Sequence, residues 1–579
     1  MAELQNTEIA AALDELGTLY ELDGAVRYRV IAYREAARVI RDSPLSVAEM
    51  ARGGRATDLP GIGKTLEGKI VTLLDTGSIP SADKLKAKFP ASLVEVTNVP
   101  GLGARTARRL HDELGISTLA ELKEAAESGR LRGVRGMGQK AEENILASVG
   151  RLEEEGAGQR RLLSKVLPVA DDLARSLREV EGARAVEVAG SARRRAETCK
   201  DIDLIATGDD PDALAKALAA HPLAAVSGSA GDAGARIVTH HGIKVDLRVS
   251  KPQAFGNLLQ HFTGSAEHNV QLRERALARG LSISEHGIKN VETGKVTLCR
   301  TEEQVYRKVG LPYIEPELRE GGGELAAAAK GELPDLVSLG DIRGDLHCHT
   351  TLSDGRNSLE EMARGARDRG YAYLAVTDHS ASHGFGNHVT PRQLAERIEE
   401  VHELDAKLPR FKLLAGSEVN INTDGSLDYS DELLDELDWV MASVHTSFRI
   451  GKREMTDRIV AAIENPLVDC IGHLTGRLIL RRRGYEVDVE RVVEAAAAAG
   501  TMLEINANPN RRDLSERYAR LAAEAGVRIV INTDAHGVDT MANIAFGVAT
   551  ARRAWLGPGQ IANTRNWRDF KKLLKAKRA

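Results

Sequence analysis

The sequence predicts a multidomain chain, α-helical in its N-terminal part and α/β thereafter, ending in a parallel sheet closed as a barrel. Three observations carry this. The chain has 579 residues, several times the roughly 100–200 of one domain. A G-h-G turn recurs three times before helix-like stretches within the first 150 residues. Beyond residue 342, seven short strand-like runs alternate with helical patterns, the rhythm of a parallel sheet.

Residues 1–50 repeat apolar side chains at helical spacing and form a small helical unit. The turns follow: Leu59-Pro-Gly-Ile-Gly63, Val99-Pro-Gly-Leu-Gly103 and Val134-Arg-Gly-Met-Gly138. From about residue 160, strands are expected at 185–188, 202–206, 237–238 and 244–249, with a helix at 212–220. The Gly- and Ala-rich stretch 321–342 reads as a linker. The seven later strands are expected at 343–347, 373–377, 412–415, 439–443, 468–471, 502–505 and 528–531.

Composition excludes several classes. Hydrophobic residues make up 42% and charged residues 28%, so the chain is not a disordered one. No apolar run approaches the ~18 residues of a membrane span, and the acidic, amphipathic start is no secretory signal. The 4 cysteines, Cys199, Cys299, Cys348 and Cys470, contain no C-x-x-C pair. That argues against a disulfide framework or a zinc ribbon and suits a reducing cytoplasm. A net charge of −5 does not itself predict a nucleic-acid binder, but phosphate backbones read local patches. Such patches occur at Arg105, Arg108 and Arg109, at Arg193–Arg195, at Arg481–Arg483 and in the tail 571–578.

A G-h-G turn before a helix exposes backbone N–H groups, and the helix N-terminus adds partial positive charge. Three copies point to a phosphate backbone bound without sequence preference. The glycines are Gly61 and Gly63, Gly101 and Gly103, Gly136 and Gly138. The pattern resembles the helix-hairpin-helix of DNA repair proteins, with Ala107 placed as that motif requires. The third copy has Arg135 where proline is usual.

The segment 188–206 combines a Gly190-Ser191 turn, Arg193 and Arg194, and the strand pair Asp201 and Asp203. Alternation puts both aspartates on one face. Asp246 sits on a later strand. Three such carboxylates can hold two Mg²⁺ (or Mn²⁺) ions, one activating a 3′-hydroxyl and one neutralising a triphosphate. These residues resemble the family X DNA polymerases, whose palm is a minimal nucleotidyltransferase. The resemblance implies nucleotide contacts at Gly190, Ser191 and Arg194, at Gly264 and Asn269 in and after Phe262-Thr-Gly-Ser265, and at Arg273. His261 stands where vertebrate members carry tyrosine, and Lys200 replaces a common glycine. The N-terminal unit resembles the family's lyase domain. Lys69 then aligns with its Schiff-base lysine, while a DNA-contacting lysine is the plainer reading.

In the last segment, His347, His349, Asp354, His379, Glu418, His445, His473, Asp534 and His536 all fall at the C-terminal ends of expected strands, where barrel active sites lie. Cys348 points to the other face. Mixed imidazole and carboxylate donors suit Mn, Zn or Fe. Nine exceed what one ion uses, so two or three ions are expected, a cluster that generates hydroxide and clamps phosphate. The segment resembles the polymerase-and-histidinol-phosphatase (PHP) superfamily, which implies a distorted (β/α)7 barrel. The resemblance assigns His347, His349, Glu418 and Asp534 to a first ion. It assigns Glu418, His445 and His473 to a second, and Asp354, His379 and His536 to a third.

The whole order resembles the bacterial and archaeal family X DNA polymerases. It implies a lyase-like helical domain with the first hairpin (1–90), a fingers-like hairpin region (91–155), palm (156–250), thumb (251–320), linker (321–342) and PHP domain (343–579). The expected function is short-gap filling in DNA repair, with a Mn-dependent 3′–5′ exonuclease in the barrel that also acts as an abasic-site endonuclease or 3′-phosphatase. Expected partners are gapped or nicked DNA and dNTPs, with no membrane, for a monomer at the nucleoid in the cytoplasm. The alternatives are a PHP-type phosphoesterase of small substrates with a non-catalytic DNA-binding N-terminal half, and a non-catalytic DNA-end scaffold.

Overall fold

The computed structural model describes residues 4–578 except 5, 44–45, 98, 100–101, 135–136, 139–141, 143–144, 147–159, 232–233 and 383–387. The chain packs as two compact units. One comprises Met1–Arg161, Lys165–Ala189 and Cys199–Phe255; the other comprises Leu162–Ser164, Gly190–Thr198 and Gly256–Ala579.

The first unit opens with helices Asn6–Leu22, Arg27–Asp42 and Val47–Arg52. Ile9, Leu13, Leu16, Leu19 and Leu22 are buried, a stripe at spacings of three and four that one helix face presents to a core. Asn6 pins the unit by donating to Ser43 O (3.1 Å) and accepting from Val47 N (2.8 Å). The three G-h-G turns share one hydrogen bond. Ile62 N donates to Leu59 O (3.1 Å), Leu102 N to Val99 O (2.9 Å) and Met137 N to Val134 O (3.0 Å). The apolar residue of each turn is buried, which anchors the turn, and Gly61, Gly63, Gly103 and Gly138 are exposed.

The same unit contains a five-stranded sheet of β1 (Ala183–Val188), β2 (Asp201–Gly208), β3 (Ala224–Gly231), β4 (Gly234–Thr239) and β5 (Lys244–Val249), in the order β1-β2-β5-β4-β3. The β2/β5 pair is parallel and the others are antiparallel. Strand β3 lies outside the runs expected from the sequence.

In the second unit, helix Ala266–Leu277 packs with an antiparallel sheet of β6 (Leu281–Ser284), β7 (Gly287–Asn290) and β8 (Val296–Thr297). The stretch 321–342, expected as a linker, is folded. It forms helix Glu324–Lys330, and Leu325 and Ala328 join the core of Leu272, Ile283 and Tyr306. Gly321 and Gly323 take φ of +75° and +99°, so the glycines make a turn into a helix rather than a flexible tether. Glu324, fully buried, accepts from His268 Nδ1 (2.6 Å) and Gly321 N (3.0 Å).

The last segment is a seven-stranded parallel sheet of β9 (Gly344–Asp345), β10 (Tyr373–Val376), β11 (Lys412–Asn420), β12 (Trp439–Ser443), β13 (Cys470–Ile471), β14 (Met502–Asn506) and β15 (Ile529–Asn532), paired in chain order. A parallel bridge between Cys348 and Ala535 brings its two edges together. Strand alternation divides the apolar residues. Leu374, Val440 and Ile531 pack outward with the helices. Tyr373, Leu414, Trp439, Met441, Met502 and Val530 fill the interior against Phe570 of helix Trp567–Arg578. Among the described residues, no helix is long and apolar enough to cross a membrane.

Candidate functional site

The same alternation builds a candidate metal centre. Two-residue steps lead from Ala375 to His379, from Leu414 to Glu418, from Met441 to His445 and from Val530 to Asp534. The interior columns are therefore apolar at the floor and ligating at the C-terminal rim. His347 and His349 follow β9 directly, His473 follows β13, and Asp354 and His536 lie in the loops beyond β9 and β15. Cys348 packs in the outer core and donates to Ala375 O (3.4 Å).

All nine groups converge. Glu418 Oε1 lies 2.9 Å from His473 Nε2 and 3.2 Å from His445 Nε2. Its Oε2 lies 2.8 Å from His379 Nδ1 and 3.4 Å from His347 Nε2. Asp534 Oδ1 lies 3.1 Å from His349 Nε2, and Asp354 Oδ2 lies 3.2 Å from His536 Nε2. Three sets have ligand atoms all within 4.8 Å of one another: His347, His349 and Asp534; His379, Glu418 and His445; and His349, Asp354, His379 and His536. His349 and His379 thus each fall into two sets, whereas the family resemblance gives each a single ion. His473 and Asp534 hold positive φ, +26° and +53°, the backbone strain that concentrates at functional sites.

The pocket fits divalent cations. His349 Nδ1 is buried and makes no hydrogen bond among the described residues. Burial, with His379 and His536 alongside, lowers His349 to about 4, and burial lowers His445 to about 4. Both rings are therefore neutral donors at pH 7. Burial alone would raise the carboxyl of Glu418, yet the surrounding imidazoles hold it well below its ordinary range; His347 and His349 do the same for Asp534. Against the effect of burial, Asp354 and Asp534 raise His536 to about 9. The cluster as a whole attracts positive charge, and its donors suit Mn²⁺, Zn²⁺ or Fe.

Sequence reasoning passed over the carboxylates behind these ligands. Glu504 Oε1 accepts from His347 Nδ1 (2.8 Å), and its Oε2 accepts from His473 N (2.8 Å). This holds His347 with Nε2 toward the cluster. Asp378 accepts from Thr350 N and Ser353 Oγ, both at 2.7 Å, and fixes the loop that carries Asp354. Asp513 accepts from Thr475 N (3.0 Å) just beyond His473. A signal existed for Glu504, which sits two residues after interior Met502.

In the first unit, β2 and β5 pair Asp203 with Asp246 and Asp201 with Lys244. All three aspartates are half-buried, while Ile202 and Val245 between them are buried. Arg236, opposite Asp246 on β4, donates Nε to Asp246 Oδ1 at 2.5 Å. The three aspartates are not among the sets with ligand atoms within 4.8 Å. An acidic trio on adjacent strands nonetheless matches what Mg²⁺ takes, one or two carboxylates with the rest from substrate oxygens.

The expected nucleotide contacts lie in the second unit. Gly190 and Ser191 open helix Gly190–Arg193. Arg194 donates to Thr263 O (2.6 Å) and pairs with Glu320 (3.0 Å). A Cβ on Gly264 would lie 3.1 Å from Arg194 Nη1. Asn269 accepts from Gln260 (2.8 Å) and donates to His261 O (2.8 Å), so here its amide braces the turn. Arg273 is exposed.

Of the hairpin glycines, Gly101 and Gly136 lie outside the described residues. Gly61 has φ +78°. Gly63 and Gly103 are the N-caps of helices Lys64–Thr76 and Ala104–Leu114, with no side-chain cap. A Cβ on Gly61, Gly63, Gly103 or Gly138 would meet nothing within 4 Å. These helix starts are open to an anion. Helices elsewhere cap themselves with Ser46, Thr118, Ser358 or Asp488. Lys69 is half-buried and donates to Ser81 Oγ (2.8 Å).

A carboxylate-bearing sheet, open hairpin helices and a buried imidazole–carboxylate barrel together define a two-centre enzyme of phosphate-ester chemistry. Comparison with known proteins agrees. Residues 258–320 match the DNA polymerase beta thumb, 4–79 a helix-hairpin-helix domain, 93–150 a SAM-like helix-hairpin-helix tandem and 345–508 the PHP domain. The chain is 36% identical over 574 residues to the DNA polymerase/3′–5′ exonuclease PolX of Bacillus subtilis, covering 99% of this chain and 100% of that protein. It is 33% identical over 207 residues to Probable phosphatase TTE1963 of Caldanaerobacter subterraneus, 33% of this chain and 75% of that one. It is 24% identical over 345 residues to DNA polymerase lambda of Rattus norvegicus, 54% of this chain and 56% of that one. The chain belongs to the PolX family, the family X DNA polymerases that carry a PHP domain.

Proposed function

We propose that the protein is a DNA-directed DNA polymerase that fills short gaps during DNA repair and degrades DNA 3′ ends at its barrel. The observation that carries the reading is the presence of both acidic centres in one chain that is alignable over 99% of its length with PolX of Bacillus subtilis. At the first centre, Asp201, Asp203 and Asp246 hold Mg²⁺ or Mn²⁺, which supplies activation of a 3′-hydroxyl and charge neutralisation of a dNTP. Gly190, Ser191 and Arg194 bind the triphosphate, and Gly264, Asn269 and Arg273 orient the nucleoside. At the second, the nine barrel groups hold two or three ions, Mn²⁺ by preference, which supply a hydroxide nucleophile and a phosphate clamp.

The chain's own residues do the rest. Glu504 fixes the tautomer of His347, Asp378 holds the Asp354 loop, and burial keeps His349 and His445 unprotonated. The hairpin glycines track gapped or nicked DNA without reading bases. Lys69 contacts DNA, with Schiff-base chemistry on an abasic sugar as its second reading. Abasic-site cleavage and 3′-phosphate removal are further outcomes of the barrel chemistry. We place the enzyme at the nucleoid, as a monomer.

One observation favours a second reading, a phosphoesterase of small substrates with a non-catalytic N-terminal half. A 207-residue stretch of the chain is 33% identical to Probable phosphatase TTE1963, covering 75% of that protein. Primer extension on a labelled gapped duplex separates the two. The polymerase reading expects extension by the wild type and its loss in Asp201→Ala. Absence of extension with rapid turnover of small phosphomonoesters supports the second reading.

A further inference from the structure

The barrel's metal centre is rimmed by a segment that the two chemistries leave unused. Residues 474–485 leave the barrel directly after His473 and fold back on themselves. Gly476 N donates to His473 O (2.9 Å), Tyr485 N to Thr475 O (3.1 Å), and Leu478 and Arg482 exchange backbone hydrogen bonds of 2.8 Å each. At the tip stands Leu480, 59% exposed and at φ +61°. That conformation favours glycine, and the side chain gains no burial in exchange. Arg481 and Arg483, beside it, are exposed.

The tip is supported from two neighbouring loops of the barrel rim. Ile479 N donates to Asn510 O (2.7 Å), and the next residue, Arg511, reaches to 3.7 Å from Asp534 Oδ2. The guanidinium of Arg482 lies 4.6 Å over the ring of Phe448, three residues beyond His445. Phe448 in turn stacks on Tyr485 with centroids 6.0 Å apart. The segment is therefore tied to the loops following β12 and β14 as well as to its own strand.

We propose that this segment is a strand-separating wall for DNA 3′ ends: Leu480 packs on the terminal base pair while Arg481 and Arg483 hold the backbone. The inference rests on the exonuclease reading above. Nucleotides within a duplex cannot reach ligands buried at the rim of a barrel, so the last nucleotides must be unpaired first. An apolar side chain replaces lost stacking without reading a base. The two cations offset the repulsion between phosphates and a centre rich in carboxylates. A small phosphomonoester needs neither feature.

The test is single-turnover 3′ degradation with Mn²⁺ of three substrates: a matched blunt duplex, the same duplex with two mispaired 3′ nucleotides, and the single strand. Leu480→Ala and Leu480→Gly should slow the matched duplex about tenfold, the factor set by one stacking step, and leave the single strand within twofold. Leu480→Met should restore the matched rate. Arg481→Glu with Arg483→Glu should raise the apparent Kd for every substrate. Glycine relieves the backbone at φ +61°, so that variant stays folded and keeps the test decisive. Equal slowing on all three substrates, or no change in the duplex-to-single-strand ratio, overturns the proposal. A wild type that degrades none of the three instead refutes the exonuclease reading itself.

Discussion

Glu504 carries no ligand role, yet it touches two ligand segments at once, through His347 Nδ1 and His473 N. Asn532 and Asn506 complete its hydrogen bonds at 3.1 and 3.2 Å. Glu504→Gln preserves the shape but leaves one acceptor where two are needed, so either His347 Nδ1 or His473 N loses its partner. Supporting residues of this kind typically cost 10–100-fold in metal affinity or activity. The expected outcome is a loss of that size in 3′ degradation, partly recovered at higher Mn²⁺, with primer extension unchanged. A loss that excess Mn²⁺ leaves untouched would argue that Glu504 acts on the chemistry itself. The residue also marks the limit of sequence reading. The nine barrel groups stood out because histidines and acids ended apolar runs. Glu504 sits inside such a run, in Met502–Asn506, and only the interior column shared with Met502 reveals it. Asp378, directly beside His379, carries no sequence signal that separates a supporting carboxylate from a ligand.

At the scale of elements, strands were legible where apolar residues alternated and less so where they did not. Strand β12 falls where the sequence placed it, whereas β3, Ala224–Gly231, is rich in Gly, Ala and Ser and holds a single β-branched residue, Val226. The 321–342 stretch misled because alanine suits both tethers and helices; what decides is Glu324, whose burial against His268 could not be seen locally. The hairpins make a sharper case. Gly103 has φ −75° and ψ 165°, the extended geometry of an ordinary N-cap, and its Cβ position is open. Gly103→Asp should therefore cap helix Ala104–Leu114 and stabilise the unit by roughly a few tenths of a kcal/mol. The same carboxylate occupies the anion position and repels a phosphate. Melting temperature should rise or hold while DNA affinity falls alike for two unrelated gapped duplexes, as read by fluorescence anisotropy. Loss confined to one sequence would show that the turn reads bases; unchanged affinity would remove the turn from the DNA contacts.

Across the whole molecule, two acidic centres of different chemistry should answer to different ions and different substitutions. The first offers carboxylates alone, the second six imidazoles with three carboxylates, so Mn²⁺ should favour the second. An ion that binds only the folded state stabilises it by RT ln(1 + [L]/Kd), about 2.7 kcal/mol at a hundredfold excess over Kd. For a domain of the barrel's size this raises the melting temperature by roughly 5–10 °C. Glu418 faces His347, His379, His445 and His473 together, so Glu418→Ala should abolish most of that rise along with 3′ degradation. Primer extension with Mg²⁺ should survive, because nothing in the β2/β5 pairing of Asp203 and Asp246 depends on the barrel ligands. Asp246→Ala should give the mirror result: extension lost, Mn²⁺ stabilisation and 3′ degradation retained. The thermal readout is independent of turnover and so separates failure to bind ions from failure to process DNA. If both substitutions remove both activities from folded protein, the centres are not separate, and the chemistry must be assigned to one shared site.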